Sequence, residues 1–288
     1  MAKRFFNKRH SYLTSILSIP PARLLLCSFL IILFPSTLIL MTPLASVTGL
    51  NWVDALFTAC SALTVTGLSV VDTGTHFTPL GHGLLIVLMQ LGGLGQMTLT
   101  VMILYVFGQR IGLKQQLLVK EELNQSHSGK HILRLMKSVV VFAIILQCMG
   151  TLLLSWQWVP EMGWSKGLYY SFFHAVSAFN NAGFSLFSNS LVDYADNYLV
   201  NFTIISLLVC GGLGFTVIMD LLKYKKCKRL GLHSKLVLTT SAILLIFGSL
   251  VILALEYNHT GSIGSIENTH GKWLAAFFQS ATTRTAGF

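Results

Sequence analysis

Three segments of the chain end in one pattern, in which a run of small or polar residues is followed by a glycine and an apolar residue. The pattern occurs as Thr64-Val65-Thr66-Gly67-Leu68, Asn180-Asn181-Ala182-Gly183-Phe184 and Arg284-Thr285-Ala286-Gly287-Phe288. These runs contain no activated nucleophile and no metal-ligand cluster, so their chemistry must come from the backbone. Carbonyl oxygens of a non-helical loop can replace the hydration shell of a cation, and glycine permits the backbone angles that such a loop needs. The pattern therefore predicts three cation-coordinating loops.

Each loop follows an apolar stretch that is too short to cross a bilayer. The stretch from Trp52 to Leu63 would be about 18 Å long as a helix, whereas the hydrocarbon core is about 30 Å thick. Equivalent stretches occur at 167–179 and 273–283. We expect three re-entrant pore helices that enter from the outside. Their partly negative C-terminal ends would then point at the bilayer centre and favour a cation.

The composition places these helices in a membrane protein. Hydrophobic residues make up 53% of the 288 residues and charged residues only 10%, whereas soluble domains carry about 25% charged residues. Of the 20 Lys and Arg residues, 17 lie in the segments 1–23, 110–137 and 223–235, and most acidic residues lie in the alternate segments. This distribution follows the positive-inside rule and predicts a cytoplasmic N-terminus. It also accounts for the net charge of +10 without a nucleic-acid partner.

Longer apolar segments frame the pore helices and predict five full spans. We expect these spans at 24–41, 83–107, 138–159, 198–222 and 236–255. The fold class is thus an all-α polytopic membrane protein built from parallel repeats, each consisting of a span, a re-entrant pore helix, a filter loop and a span. The predicted units are a basic cytoplasmic N-terminus (1–23), repeat 1 (24–108), a cytoplasmic loop (109–137), repeat 2 (138–222), a second cytoplasmic loop (223–235) and an incomplete repeat 3 (236–288) that ends at its filter loop.

The order and spacing of the three loops resemble the bacterial Trk/Ktr/HKT superfamily of potassium transporters over nearly the whole chain. Within it the chain is more similar to the KtrB-type membrane subunits, because it opens directly on the first repeat. The resemblance implies potassium uptake across the bacterial cytoplasmic (inner) membrane, sodium-dependent in some members, and four repeats in one polypeptide. It also implies a homodimer with a cytosolic, KtrA-like nucleotide-binding regulatory subunit. Since repeat 3 is incomplete and a fourth repeat is missing, we expect a fragment whose three loops cannot close the filter.

The resemblance also assigns the filter residues. By position, the closing glycines are the filter glycines, and backbone carbonyls bind the transported potassium ion without a cofactor or a resident metal. The predicted ion-binding residues are Thr64, Val65, Thr66 and Gly67 in loop 1, Asn180, Asn181, Ala182 and Gly183 in loop 2, and Arg284, Thr285, Ala286 and Gly287 in loop 3.

Three polar side chains in the loops have alternative interpretations. Arg284 either braces the backbone behind the filter through hydrogen bonds to loop carbonyls or extends to the outer water. The cost of a charge at membrane depth favours the braced arrangement. Asn180 and Asn181 could brace the filter in the same way, and Asn180 could instead cap the preceding helix.

Other motifs near the loops are predicted to serve packing. Two Gly-Gly-Leu-Gly runs, at 92–95 and 211–214, lack the Lys-Ser/Thr that follows in a phosphate-binding loop, so we expect close helix packing there. His82 and His174 are expected to pack or to lie at an interface, because the spans hold no partner carboxylates for a proton relay. Asp220 is expected to form a local ion pair with the lysines at 223 and 225.

Two other classes of function are consistent with parts of the pattern. A non-transporting membrane scaffold or sensor would use the short helices only for packing, and it would tolerate changes to the three glycines. A secondary transporter of organic solutes would need inverted repeats and charged or aromatic substrate groups in the spans, which the sequence does not show. The chain has no HExxH motif, no nucleophile elbow and no paired carboxylates in a span, so no enzyme is predicted.

Overall fold

The computed structural model describes residues 21–95, 129–227, 230–259, 261–266, 268–284 and 286–288. Over these ranges the regular structure is helical, with one isolated antiparallel bridge between Ser46 and Phe77. Four predicted features lie outside the described residues. They are the N-terminal segment up to residue 20, the span beyond residue 95, the loop from 109 to 128, and the filter residue Thr285.

The helices of the described part are labelled here in chain order. They are α1 (Pro21–Leu40), α2 (Trp52–Leu63), α3 (Thr73–His76), α4 (Pro79–Gly93), α5 (Gly129–Met162), α6 (Trp164–Phe179), α7 (Tyr198–Gly212), α8 (Phe215–Cys227), α9 (Leu232–Glu256) and α10 (Thr269–Thr282). Two 3-10 turns occur in the loops, at Val192–Tyr194 and Ile263–Ser265.

Three helices, α2, α6 and α10, occupy the segments that were predicted to be pore helices. Helix α2 has the predicted bounds, whereas α6 begins at Trp164 instead of 167 and α10 begins at Thr269 instead of 273. Their 12, 16 and 14 residues correspond to lengths of about 18–24 Å, so none of them can cross a core of about 30 Å.

Two helical segments of the described part are long and apolar enough to cross a membrane. These are Ser138–Met162 within α5 and Leu232–Glu256, which is α9. Only 33% and 22% of the residues in their most apolar windows are buried, so most of their apolar surface faces outward, unlike that of a core helix in a soluble protein. Helix α5 starts at Gly129, before the predicted start of the span at 138. A helix satisfies its own backbone hydrogen bonds and can therefore continue past the hydrocarbon region.

In each repeat the helix before the pore helix is called here the outer helix (α1, α5, α9), and the helix that follows the loop is called the inner helix (α4, α7). The inner helices of repeats 1 and 2 both end at their Gly-Gly-Leu-Gly run. Helix α4 ends at Gly93 and α7 at Gly212, and the last glycine of each run, Gly95 or Gly214, has a φ of +83°. Glycine enters this left-handed region without the steric cost of a side chain, and it commonly terminates helices there. The segment predicted as one span over 198–222 therefore consists of two helices, α7 and α8, with a break at Gly214.

A side-chain cap fixes the start of each inner helix. Thr78 Oγ1 accepts a hydrogen bond from Gly81 N at 3.3 Å before α4, and Asn197 Oδ1 accepts one from Val200 N at 3.1 Å before α7. Such a cap satisfies one of the backbone donors that the first helical turn leaves unpaired. The two inner helices thus begin at equivalent, locally defined points.

Neighbouring repeats meet through the same pair of elements. Helix α4 of repeat 1 packs against α6 of repeat 2, and α7 of repeat 2 packs against α10 of repeat 3. Each inner helix also packs against the pore helix of its own repeat. One buried core joins repeats 1 and 2 around Leu63 and Phe173, and a second joins repeats 2 and 3 around Ile204 and Ala281. The inner helices therefore connect consecutive pore helices.

Candidate functional site

Pore helix α2 turns into loop 1 through a residue in the left-handed region. Val65 has a φ of +58°. Its N–H donates to Ala62 O at 3.4 Å, and the N–H of Thr66 donates to Ser61 O at 2.9 Å. This pair of hydrogen bonds is the Schellman motif, in which the left-handed residue is usually glycine. For a residue with a side chain this conformation costs about 1–2 kcal/mol, so loop 1 is held in a strained conformation by its surroundings.

Loop 2 repeats this geometry. Asn181 has a φ of +58°, and hydrogen bonds join Asn181 N to Ala178 O at 3.0 Å and Ala182 N to Ser177 O at 2.8 Å. Ser177 Oγ also donates to Phe184 O at 2.8 Å, on the far side of the glycine. The sequence predicted unusual backbone angles only at the closing glycines. An asparagine two residues earlier was a signal for this second left-handed position, since asparagine is enriched there, but a valine gave none.

Loop 3 leaves its helix one residue earlier relative to its glycine. Helix α10 ends at Thr282, which holds the loop twice. The Thr282 carbonyl accepts a hydrogen bond from Gly287 N at 3.2 Å, and its Oγ1 accepts one from Phe288 N at 2.9 Å. All three loops are thus tied to the last turn of their own pore helix.

The three loops lie against one another at their glycines. A Cβ added at Gly67 would overlap Ala182 O and lie 3.0 Å from Ala286 O, and one added at Gly183 would overlap Ala286 O. The φ values of Gly67, Gly183 and Gly287 are +83°, +72° and +69°, a region that favours glycine. Close approach and backbone conformation therefore both require glycine at the first two positions. At Gly287 the requirement comes from conformation, because the described residues place no neighbour within 4 Å of an added Cβ.

Burial differs among the residues of the three loops. Ala182 and Gly183 of loop 2 and Ala286 of loop 3 are buried, whereas Thr64 and Thr66 of loop 1 and Gly287 of loop 3 are exposed. The buried residues are those whose backbone lies where the loops approach one another.

The Gly-Gly-Leu-Gly runs lie directly behind loops 1 and 2. A Cβ added at Gly92 would overlap Leu63 O, and one added at Gly211 would overlap Phe179 O. Leu63 and Phe179 are the last residues of α2 and α6, so each run packs against the end of the pore helix of its own repeat. The predicted close packing at these runs is confirmed.

Arg284 braces loop 3 from behind. Its Nη2 donates to Ser241 Oγ of α9 at 3.1 Å, and the side chain is only partly exposed. A cavity of about 120 Å³, lined in part by Arg284, Asn181 and Gly212, lies beside it and is large enough for ordered water. The side chain is anchored within the protein, but the described hydrogen bond goes to the hydroxyl of an outer helix and not to a loop carbonyl as predicted.

Asn180 both ends its helix and braces loop 2. Its Nδ2 donates to Val176 O at 2.9 Å, inside α6, and to Gln90 Oε1 at 3.0 Å, on α4 of the preceding repeat. Both alternatives that the sequence left open therefore apply. Gln90 was not predicted as part of the site, although a lone polar side chain in an apolar span is a recognised sign of function.

The ring nitrogens of His82 and His174 lie within hydrogen-bonding distance of other segments of the protein. The ring nitrogens of His82 lie 2.7 Å from Tyr169 Oη and 2.6 Å from Thr73 O, which joins repeat 1 to repeat 2. The fully buried His174 lies 3.1 Å from Ser185 Oγ, in the segment after loop 2. Both side chains have structural partners, which confirms the packing interpretation.

Asp220 joins α8 to the start of α9. Its Oδ2 accepts a hydrogen bond from Ser234 Oγ at 2.6 Å, and Ser234 is 1% exposed. The side chains of Lys223 and Lys225 lie outside the described part of the structure, so the expected ion pair stays a prediction. The observed bond instead anchors the lower segment of the broken inner helix.

Asp72 connects the segments that follow loops 1 and 2. Its Oδ1 accepts a hydrogen bond from Gly74 N at 2.9 Å at the start of α3. Partial burial acts to raise the pKa of the Asp72 carboxyl. Hydrogen bonds from Ser188 and from Gly74 and Thr75 outweigh that effect, so the pKa lies below its ordinary value. The carboxylate is therefore ionised at neutral pH and adds negative charge beside the segments that follow loops 1 and 2.

Comparison with known proteins identifies relatives along nearly the whole chain. The family of cation transport proteins described as TrkH matches residues 28–288. The Ktr system potassium uptake protein B of Vibrio alginolyticus is 50% identical over 268 residues, which cover 92% of this chain and 58% of the relative. The protein of the same name from Bacillus subtilis is 44% identical, with 93% and 60% covered. The chain thus spans less than two thirds of the length of these relatives.

A solved structure shows the same fold. The crystal structure of the potassium transporter TrkH from Vibrio parahaemolyticus matches with a TM-score of 0.60, over 88% of this chain and 49% of that chain. Sequence identity is 20%, so the likeness concerns the fold alone. The predicted helical membrane-protein fold class is confirmed by this match.

Proposed function

Because the chain belongs to the TrkH family of cation transport proteins, we propose that it forms part of the membrane subunit of a potassium-uptake system of the Ktr/Trk type. The observation that carries the proposal is the contact among loops 1, 2 and 3 at Gly67 and Gly183, where no side chain fits. The names of the two Ktr relatives support potassium as the transported ion.

In the proposed mechanism, potassium exchanges part of its hydration shell for backbone carbonyls of the three loops. Each loop begins at the C-terminal end of a pore helix, whose partial negative charge adds to the attraction for a cation. The side chains of Asn180 and Arg284 are anchored behind the loops, on α4 and α9. The backbone, and not a charged side chain, is therefore the group that meets the ion.

We also propose the setting of the transporter. The N-terminus lies in the cytoplasm, so that the basic segments 109–137 and 223–235 face the cytoplasm of a bacterial cell and the pore helices enter from outside. These basic segments provide the surface for a cytosolic nucleotide-binding regulatory subunit, and two membrane subunits form a homodimer. The charge distribution supports the orientation, and the names of the Ktr system relatives support a further subunit. The homodimer rests on the resemblance to the Trk/Ktr/HKT superfamily.

The experiment compares two glycines with nearly the same φ. Gly183 and Gly49 have φ values of +72° and +73°, but an added Cβ would overlap loop backbone only at Gly183, whereas at Gly49 the nearest atom, Met41 O, is 3.7 Å away. Each is changed to alanine in the full-length protein, expressed in a potassium-uptake-deficient bacterial host. Rubidium uptake is then measured at matched amounts of membrane protein. We expect Gly183→Ala to abolish selective uptake and Gly49→Ala to retain it.

The outcome separates transport from the alternative of a membrane scaffold. Unchanged rubidium uptake by the Gly183→Ala protein would contradict the filter assignment. A wild-type protein that restores neither growth on low potassium nor rubidium uptake would favour the scaffold. Uptake measured with and without sodium in the same cells tests whether transport is sodium-dependent.

A further inference from the structure

Three amide side chains from three different helices meet behind loop 2. Gln90 Oε1, on α4, accepts hydrogen bonds from Asn180 Nδ2 at 3.0 Å and from Gln147 Nε2, on α5, at 2.8 Å. Asn180 and Gln147 are 5% and 6% exposed. In an interior of low dielectric such bonds are strengthened, and a buried donor that loses its partner is costly. The single oxygen of Gln90 therefore fixes the spacing of α4, α5 and the end of α6.

Gln90 lies in the turn of α4 that contacts two filter loops. Two residues further on, Gly92 packs against the carbonyl of Leu63, at the end of α2. The next residue, Gly93, packs against the side chain of Asn180, because an added Cβ would lie 2.6 Å from its Cγ. A displacement of Gln90 would therefore be transmitted to the first residue of loop 2 and to the residue before loop 1.

Repeat 2 has no amide side chain at the position equivalent to Gln90, and loop 3 is held in a different way. Two residues before its glycine pair, repeat 2 has Val209 where repeat 1 has Gln90. Loop 3 is instead held by Arg284, whose Nη2 bonds directly to Ser241 of the outer helix α9. Ser241 and Gln147 lie equally far along the chain from the C-terminal ends of their outer helices. Loop 2 is thus anchored to an inner helix by Gln90, which in turn bonds to an outer helix, whereas the described side-chain bond of Arg284 goes directly to an outer helix.

We propose that Gln90 is a positioning residue of the filter, whose Oε1 holds Asn180 and the following carbonyls of loop 2 where they select potassium over sodium. The proposal rests on the proposed function as a potassium pore. Gln90 does not meet the ion and acts through Asn180. Carbonyl oxygens discriminate between ions by their number, spacing and field strength. A loop 2 that has lost this anchor can close around the smaller sodium ion.

The test uses two substitutions of Gln90 in the full-length protein. Gln90→Leu removes the accepting oxygen at similar volume, and Gln90→Glu keeps an oxygen that can accept both N–H groups. The measured quantity is the ratio of rubidium to sodium uptake, together with the KM for rubidium, at matched amounts of membrane protein. Gln90→Leu leaves two donors without their partner, and of these only Asn180 Nδ2 belongs to loop 2. We expect Gln90→Leu to lower the ratio about tenfold, the scale set by the one unsatisfied donor in the loop. We expect Gln90→Glu to restore most of it.

A packing control lies on the same helix. Leu88 is 1% exposed and belongs to the core of repeats 1 and 2, so Leu88→Ala should reduce the amount of folded protein without changing the ratio. An equal fall of the ratio in Leu88→Ala and Gln90→Leu would overturn the positioning role. So would an unchanged ratio in Gln90→Leu. If Gln90→Leu does not reach the membrane, Gln147→Met removes one donor only. It should lower the ratio less but in the same direction, and an unchanged ratio would again overturn the role.

The glycine variant keeps this inference distinct from the function on which it rests. If Gly183→Ala transports as the wild type does, the pore assignment fails. If Gly183→Ala loses selective uptake while Gln90→Leu keeps the wild-type ratio, the pore assignment stands and only the positioning role of Gln90 fails.

Discussion

A pair of glycines on one helix separates helix propensity from the close contact behind loop 1. Gly83 and Gly92 both lie in α4. A Cβ added at Gly83 has no neighbour within 4 Å, whereas one added at Gly92 would overlap Leu63 O and lie 3.0 Å from the Leu63 carbonyl carbon. Since carbon atoms in contact lie about 3.5–4.0 Å apart, Gly92→Ala must separate α4 from the end of α2 by roughly 0.5–1 Å.

Two opposing contributions set the change in the free energy of unfolding. Alanine is favoured over glycine inside a helix by about 1 kcal/mol, so Gly83→Ala should raise stability or leave it unchanged. Gly92→Ala gains the same amount but pays about 1–3 kcal/mol for overpacking against a backbone carbonyl. The difference between the variants isolates the steric term. For chains of this size it corresponds to roughly 2–4 °C in melting temperature for each kcal/mol.

The assay is thermal denaturation of the full-length protein in detergent, combined with rubidium uptake in cells. We expect Gly92→Ala to melt below Gly83→Ala and to transport less, because Leu63 is the last residue before loop 1. Equal melting temperatures and equal uptake for the two variants would refute the claim that Gly92 is needed for contact with the pore helix.

Two further predictions concern Asp72, in the segment after loop 1, and Ser234, in the first turn of α9. Because its pKa is lowered in the folded protein, the Asp72 carboxylate stabilises the fold above its unfolded pKa, near 3.8, and this contribution is lost as the pH falls through the folded pKa. Asp72→Asn should therefore melt below the wild type at pH 7, with a gap that narrows below pH 3.8; a gap independent of pH would contradict a role for the charge. Ser234→Ala removes the bond to Asp220, which should cost about 1.5–3 kcal/mol and speed amide hydrogen exchange in the first turn of α9. Ser249→Ala, a buried serine of α9 that bonds only to its own helix, is the control, and equal exchange in both variants would exclude the anchor.

Much of the architecture was predictable because it depends on local properties of the chain. A pore helix is recognised by a length that falls short of the hydrocarbon thickness, and a filter loop by a glycine at its end. Helix α2 has the predicted bounds, and α6 and α10 begin three and four residues before their predicted starts. The Gly-Gly-Leu-Gly runs were correctly assigned to close packing at their first glycines, whereas their last glycines, Gly95 and Gly214, are left-handed and end the helices.

The partners behind the filter were decided by tertiary structure. Gln90 and Asn180 are far apart in the sequence, and their hydrogen bond exists only because α4 packs against the pore helix of the next repeat. Arg284 carried a charge that required some partner, but nothing local to it indicated Ser241. A single polar residue in an apolar segment signals a need for a hydrogen bond without naming the group that satisfies it.

The same limit applies to the glycines. The sequence by itself determined three short apolar helices, three glycine-closed loops and the alternation of charge, because each follows from residue type and segment length. It did not distinguish Gly211, which is helical and packs against Phe179, from Gly214, which is left-handed and ends α7. Glycine permits both conformations, and the choice depends on which backbone lies beside it. That contact is a property of the assembled helices, so only the tertiary structure could fix it.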